Sequence, residues 1–246
     1  MAAEVGSAAT GADTAASTLE SFKSWLSSTP GARGTPLGRG YQATTELFNC
    51  PAGQLAVKTA RGPWPWRCLG ETAIRREYGI YRKISGIPGV PRCIGLLDGR
   101  MLVLEFVSGG TFRSRERQID DWDAFFAKLL ETIRSIHAAG VAHGDLKRKD
   151  NILVGDGERP YIVDFGVATI EKPSGAPWTN LLYRWMRQYD YNAWVKLKYR
   201  RRVDAITPLD AALYRPTTAE RFARAIRVVW QKLTLRRLRR RIWPRR

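Results

Sequence analysis

Apolar positions recur with two different periods along this chain. From Tyr41 to Val57 they alternate in short runs, which predicts two strands, the second being Gln54-Leu55-Ala56-Val57-Lys58. From Glu71 to Ile84 the spacing becomes helical, with Ile74, Tyr78, Tyr81 and Ile84 on one face. Ile94–Leu97, the turn pair Asp98-Gly99 and Met101–Phe106 read as a hairpin. Asp120–Ala139 is a second amphipathic helix, with Phe125, Leu129, Ile133 and Ile136 in register and Gly140 to end it. Asn151–Val154 and Tyr161–Val163 are short strands around Gly155-Asp156-Gly157, and the remainder is mainly helical and basic. Strands dominate the first half and helices the second, so the pattern predicts an α+β protein with a strand-rich lobe followed by a helical one.

The segments between fill in the organisation. Residues 1–18 are rich in Ala, Ser, Thr and Gly and read as a disordered leader, with a helical turn or two over Leu19–Leu26. Thr29–Gly40 reads as a linker and Pro63-Trp64-Pro65-Trp66 as a loop. No run of 18 apolar residues predicts a membrane-spanning helix, and Glu4 and Asp13 interrupt any secretory signal. The cysteines Cys50, Cys68 and Cys93 have no metal-type spacing and suit a reducing, cytoplasmic setting.

Charge changes the picture at one end only. The formal net charge of +18 divides into +3 over residues 1–183 and +15 over residues 184–246. Phe222, Ile226, Val229 and Leu233 fall on one helical face, and Leu235, Leu238 and Ile242 nearly opposite. The first stripe suits packing on a domain. For the second, two readings stand: a solvated basic end, or a peripheral contact with an anionic membrane. In the latter, Leu235, Leu238, Ile242 and Trp243 enter the surface and Arg236, Arg237, Arg239, Arg240 and Arg241 meet headgroups. Nucleic acid is a third partner for such a tail, but no recognisable binding module accompanies the arginines.

Chemistry enters through four features in order. Lys58 ends an apolar strand, which alone describes many solvated strand ends. Glu77 lies among Ala73, Ile74, Ile80, Tyr81 and Ile84, where a carboxylate needs a partner, and Lys58 is a candidate. His143-Gly144-Asp145-Leu146-Lys147 precedes the strand at Asn151, and Val163-Asp164-Phe165-Gly166 follows it. Two acids and an amide so arranged can orient a hydroxyl nucleophile and bind Mg²⁺ on nucleotide phosphates.

This ordered set resembles the protein kinase-like superfamily over roughly residues 36–170. The resemblance implies a two-lobed fold: leader and linker over 1–35, N-lobe over 36–106, a reduced helical C-lobe over 107–220 and a basic helical tail over 221–246. It implies ATP as phosphoryl donor, Mg²⁺ as cofactor and a hydroxyl acceptor. Lys58 would hold the α- and β-phosphates, Glu77 would fix Lys58, and Asp145 would orient the acceptor or act as base. Lys147 would steady the transferred group, and Asp164 would bind Mg²⁺. Glu105 and Val107 would meet adenine at the hinge, and Gly38 and Gly40, in Gly38-Arg39-Gly40-Tyr41-Gln42-Ala43, would cover the phosphates.

The departures are specific. Ala43 stands where a third loop glycine is usual. The metal-binding Asn place, five after Asp145, holds Asp150, and Asn151 follows; either binds metal, and the strand after it favours Asn151. Gly144 replaces the arginine of many regulated kinases, and no Ala-Pro-Glu follows Asp164-Phe165-Gly166, so the activation segment and peptide-docking helices are expected to be absent. Tyr189–Lys198 resembles the basic helices of small bacterial relatives, the RIO-like and lipopolysaccharide core kinases. The acceptor is thus a protein serine or threonine or, alternatively, a Kdo or heptose sugar at the inner membrane surface. A pseudokinase scaffold or a basic nucleic-acid-binding protein are the readings of another class.

Overall fold

The structure, a computed structural model, describes residues 4–39, 43–60, 64, 66–172, 180–200, 202 and 205–215. The stripes over 222–242, the tail and Gly40 lie outside them. The first lobe is a five-stranded antiparallel sheet in the order β1-β2-β3-β5-β4. Its strands are β1 (Thr35–Arg39), β2 (Ala43–Cys50), β3 (Gly53–Ala60), β4 (Cys93–Leu97) and β5 (Met101–Glu105). The strand period of two sorts β3 cleanly. Leu55 and Val57 join one apolar cluster with Phe48, Ile94, Leu97 and Val103, while Ala56 and Ala60 face the other cluster with Leu102 and Leu104. Lys58, in step with Ala56 and Ala60, therefore points to the second face, beneath which lies α2 (Trp66–Lys83) with Ile74, Ile80 and Tyr81 buried.

The second lobe is built on α4 (Trp122–Ala138) and α5 (Leu181–Lys198), which pack on each other. Asp121 caps α4 by accepting from the Ala124 N–H at 2.9 Å, and Gly140, at φ 71°, turns the chain out of it. Short strands carry the chemistry-bearing loops. These are β6 (Gly110–Thr111), β8 (Ile152–Gly155) and β9 (Arg159–Ile162) in one sheet, and β7 (Val141–Ala142) with β10 (Thr169–Ile170) in another. Among the described residues the lobe also carries the short α-helices α3 (Phe112–Arg115) and α6 (Pro208–Ala211).

Three expectations are corrected and a fourth is refined. The expected leader is α1 (Glu4–Ser28), which lies on the outer face of the first sheet: Phe22 is fully buried, and its ring packs against Trp25 at 6.1 Å and Phe48 at 5.6 Å. The turns expected over Leu19–Leu26 are present and pack on the sheet, while the small residues before them extend the helix without an apolar stripe. Thr35–Arg39, expected as linker, pairs with β2 as an edge strand, where proline and glycine are tolerated. Trp66, expected in a loop, opens α2 five residues before the predicted start; Arg67 and Leu69 are exposed, so the first turn carries no periodic apolar signal. Tyr189–Lys198, expected as a basic helix, is the second half of α5 and carries Lys196 and Lys198, but Asp190, Asn192, Ala193, Trp194, Val195 and Leu197 are buried. Among the described residues no helix is long and apolar enough to cross a membrane.

Because α1 is part of the first lobe's core, Phe22→Ala is expected to lower stability by about 3 kcal/mol, the lower end for a deleted buried aromatic side chain. Thermal or urea unfolding checks this, and wild-type stability would return the segment to a dispensable leader.

Candidate active site

Three separated segments meet at one ammonium. Lys58 Nζ donates to Glu77 Oε1 at 3.0 Å and Oε2 at 2.8 Å, and to Asp164 Oδ1 at 2.8 Å. β3 supplies the lysine, α2 the glutamate, and the loop after β9 the aspartate. The Glu77 side chain is 3% exposed, that of Lys58 17% and that of Asp164 45%. Burial alone would lower the Lys58 pKa, but the charges of Glu77 and Asp164 outweigh it and hold it above its ordinary value. At Asp164 burial pushes up and Lys58 pulls down, and the pull prevails, so its carboxyl sits below the usual range. At Glu77 burial prevails and raises the carboxyl in spite of Lys58. The two partners thus move in opposite senses with respect to charge. The contact of both carboxylate oxygens with one ammonium favours the ionised pair, and burial sets how easily Glu77 gives it up.

The loop bearing Asp164 is anchored by its neighbour. Phe165 is fully buried, edge-on to Tyr81 of α2 at 5.1 Å and to His143 at 4.9 Å. His143 accepts at Nδ1 from the Asp145 N–H, so its proton is on Nε2, which donates to the Val163 carbonyl at 3.0 Å. One imidazole thereby ties the backbone before Asp164 to the backbone at Asp145. Asn151 is buried and donates from Nδ2 to the Asp145 carbonyl at 3.0 Å, which places it beside the same loop. Asp150 turns the other way, into a two-bond ion pair with Arg113 at 2.8 and 2.9 Å, and that guanidinium lowers its pKa. Of the two alternatives for the amide place, the structure therefore brings Asn151 to the site and takes Asp150 away from it.

The remaining candidates are distributed as follows. Lys147 is exposed two residues after Asp145, and Arg148 Nε is 3.9 Å from Asp145 Oδ2. Glu105 ends β5; its N–H donates to the Arg92 carbonyl at 2.9 Å and its side chain accepts from the Arg92 N–H at 3.0 Å. Val107 is half-buried in the connection between lobes, 3.3 Å from the place of a Cβ on Gly155. Gly38 lies in β1 with open space around it.

One residue escaped the sequence reading. Asp190 of α5 is 1% exposed and accepts from the His143 N–H at 2.8 Å, the Gly144 N–H at 2.8 Å and His137 Nε2 at 3.0 Å. It holds the backbone entering Asp145 from below. Gly144 stands at φ 80°, where a residue with a Cβ is strained, and a Cβ there would come within 2.7 Å of Met186 Sδ and require that side chain to shift. The one available signal was an acid inside the apolar stripe of α5, the same kind that singled out Glu77.

Asp164 and the Asn151 amide offer hard oxygen donors of the kind Mg²⁺ takes, and among the described residues no cluster of three His, Cys, Asp or Glu forms a self-sufficient metal cage. That combination suits an ion that arrives with phosphates and keeps part of its water shell.

A two-lobed molecule with a lysine–carboxylate network in the cleft, facing a loop acid and a buried amide, has the form of a nucleotide-dependent phosphotransferase. The protein kinase domain model matches residues 37–192, well over half the chain, and the chain belongs to that family. It is 33% identical over 109 residues to the serine/threonine-protein kinase cds1 of Schizosaccharomyces pombe, covering 41% of this chain and 23% of that protein. It is 28% identical over 142 residues to the EKC/KEOPS complex subunit BUD32 of Encephalitozoon cuniculi, covering 55% and 70%. It is 32% identical over 150 residues to the CBL-interacting protein kinase 4 of rice, covering 56% and 33%. The chain spans about a quarter of the length of cds1 and a third of that of the rice protein.

Removing the ammonium should leave Glu77 buried and unpaired. Lys58→Met is expected to destabilise the fold by about 3 kcal/mol at neutral pH. The sign of the pH dependence is set by burial. With its folded pKa raised further, Glu77 favours folding below its ordinary value of 4.5, and that stability is lost as pH rises through the folded pKa. The gap in melting temperature between variant and wild type should therefore widen as pH rises through the folded pKa of Glu77 in the wild type, which lies above 4.5; a gap independent of pH would contradict the pairing.

Proposed function

We propose that this chain transfers the γ-phosphoryl group of ATP to a serine or threonine hydroxyl of a protein. The observation that carries the proposal is Lys58 held between Glu77 and Asp164, with Asp145 and Asn151 joined on the loop opposite. Lys58 would meet the α- and β-phosphates, its position fixed by Glu77. The Glu105 carbonyl and the Val107 backbone would receive the adenine edge. Asp164 and Asn151 would hold Mg²⁺, which would neutralise negative charge on the phosphates. Asp145 would orient the acceptor O–H and take its proton as the oxygen bonds to the γ-phosphorus and the bond to the β-phosphate oxygen breaks, releasing ADP. Lys147 would meet the charge on the transferred group. The work of the site is positioning and electrostatic preorganisation, which is what phosphoryl transfer requires.

A protein acceptor is favoured because cds1 and the rice relative are both named as protein kinases. Nothing in the site or among these relatives favours a lipopolysaccharide sugar. The intact set Lys58, Glu77, Asp145 and Asp164 argues against a scaffold without transfer, and it would be unexplained in a protein that only binds nucleic acid.

Labelled ATP offered with protein and lipopolysaccharide acceptors is expected to mark protein. Asp145→Asn should keep ATP affinity and lose transfer by about 10²–10⁴-fold, the range for a positioned base. Asn151→Ala should weaken Mg²⁺-dependent turnover while Asp150→Ala leaves it near wild type. Unchanged transfer in Asp145→Asn, or label on the sugar alone, would overturn the proposal.

A further inference from the structure

The loop after β9 runs through strained backbone. Asp164 stands at φ 66°, in the left-handed region that a residue with a Cβ enters only when its surroundings hold it there. Besides buried Phe165, hydrogen bonds secure the chain beyond Asp164 at two places. Downstream, β10 pairs with β7, and the Glu171 N–H donates to the Gly140 carbonyl at 2.8 Å. Nearer the strained residue, the Arg76 guanidinium reaches down from α2. Its Nη1 donates to the Gly166 carbonyl at 3.0 Å and its Nη2 to the Ala168 carbonyl. Val167, between those two carbonyls, is 57% exposed, so its side chain does not anchor the turn. No side chain reaches it from the place before Asp145, which is Gly144.

We infer that Arg76 is a positioning residue that holds the 164–168 turn, and with it the Asp164 carboxylate, in the metal-binding arrangement without any covalent modification of the chain. The kinetic part of this inference rests on the proposed phosphotransferase reading; the structural part does not. Arg76 and Glu77 are consecutive in α2. One binds the carbonyls on the far side of Asp164, and the other fixes the lysine bound to its carboxylate. A rigid guanidinium fork can satisfy two carbonyls two residues apart, and bonds from a charged donor are stronger than neutral ones. Any shift of α2 away from the cleft would break the Lys58–Glu77 pair and release the turn together. The position of α2 and the orientation of Asp164 are therefore one variable.

The test compares Arg76→Ala and Arg76→Lys with Arg75→Ala. Arg75 is the preceding residue, and its Nε bonds the Gly99 carbonyl at 2.9 Å in the hairpin turn of the first lobe. Hydrogen exchange of the 164–170 amides and the Mg²⁺ concentration that half-saturates ATP turnover are read on the full chain. Arg76→Ala is expected to speed that exchange and raise the Mg²⁺ requirement by roughly tenfold, the equivalent of one charge-assisted bond. A lysine reaches one carbonyl and should recover part of both effects, and Arg75→Ala should show neither. Exchange and Mg²⁺ requirement at wild-type values in Arg76→Ala would overturn the inference. So would a local loosening in Arg75→Ala equal to that in Arg76→Ala. Should Arg76→Ala fail to fold, Arg76→Lys decides, because an intermediate exchange rate is expected of it alone. Should the wild-type chain transfer no phosphate, faster exchange in Arg76→Ala still supports the clamp, and it is then the phosphotransferase reading that fails.

Discussion

The Lys58 ammonium is the point at which the two lobes are made one molecule. It comes from the middle of a sheet, and it is shared by a carboxylate on the helix below that sheet and a carboxylate 106 residues further along the chain. Glu77 belongs to the same lobe as Lys58, and Asp164 reaches it from the other. A carboxylate as buried as Glu77 costs several kcal/mol unless paired, so the position of α2 is not free once β3 is in place. The position of the Asp164 loop is not free either. The cleft is therefore set electrostatically before any ligand enters, and the aromatic contact of Phe165 with Tyr81 and His143 fixes the apolar side of the same junction.

A second buried acid does the complementary work in the helical lobe. Asp190 binds backbone rather than a charge: the N–H groups of His143 and Gly144, with the His137 ring closing the set. Each lobe thus contributes one deeply buried carboxylate, and each carboxylate fixes one arm of the site. Glu77 orients a side chain, Lys58. Asp190 orients a length of backbone, from which Asp145 projects. Loop residues acquire the precision of scaffold residues in this way, through supporting bonds one step removed from the chemistry.

This division explains what could be read in the sequence. Glu77 was legible because an acid interrupting Ala73, Ile74, Ile80, Tyr81 and Ile84 demands a partner and Lys58 was near at hand. The hairpin at Asp98-Gly99 was legible because its turn chemistry is local. Asp190 interrupts a stripe of the same kind, yet its partners are amide groups, and a backbone N–H leaves no trace in residue identity. The same holds for Arg76, whose acceptors are carbonyls. α1 was legible only over Leu19–Leu26, for another reason. Its small residues carry no periodicity, and the few large ones, Leu19, Phe22 and Trp25, are apolar for the sake of a sheet that lies elsewhere in the sequence. The strand after Asn151 already favoured it over Asp150; what spacing did not reveal is Arg113, the partner 37 residues away that draws Asp150 off.

The central claim is that Lys58, Asp164 and Asn151 together form a site for ATP carried with a divalent cation. Calorimetric titration of the full chain with ATP, with and without Mg²⁺, tests it directly when repeated on Asp164→Asn. The account predicts that Mg²⁺ tightens ATP binding to the wild-type chain and that this tightening is lost in Asp164→Asn while Mg²⁺-free binding persists. Equal ATP affinity with and without Mg²⁺ in the wild type, or a tightening that survives in Asp164→Asn, would contradict it.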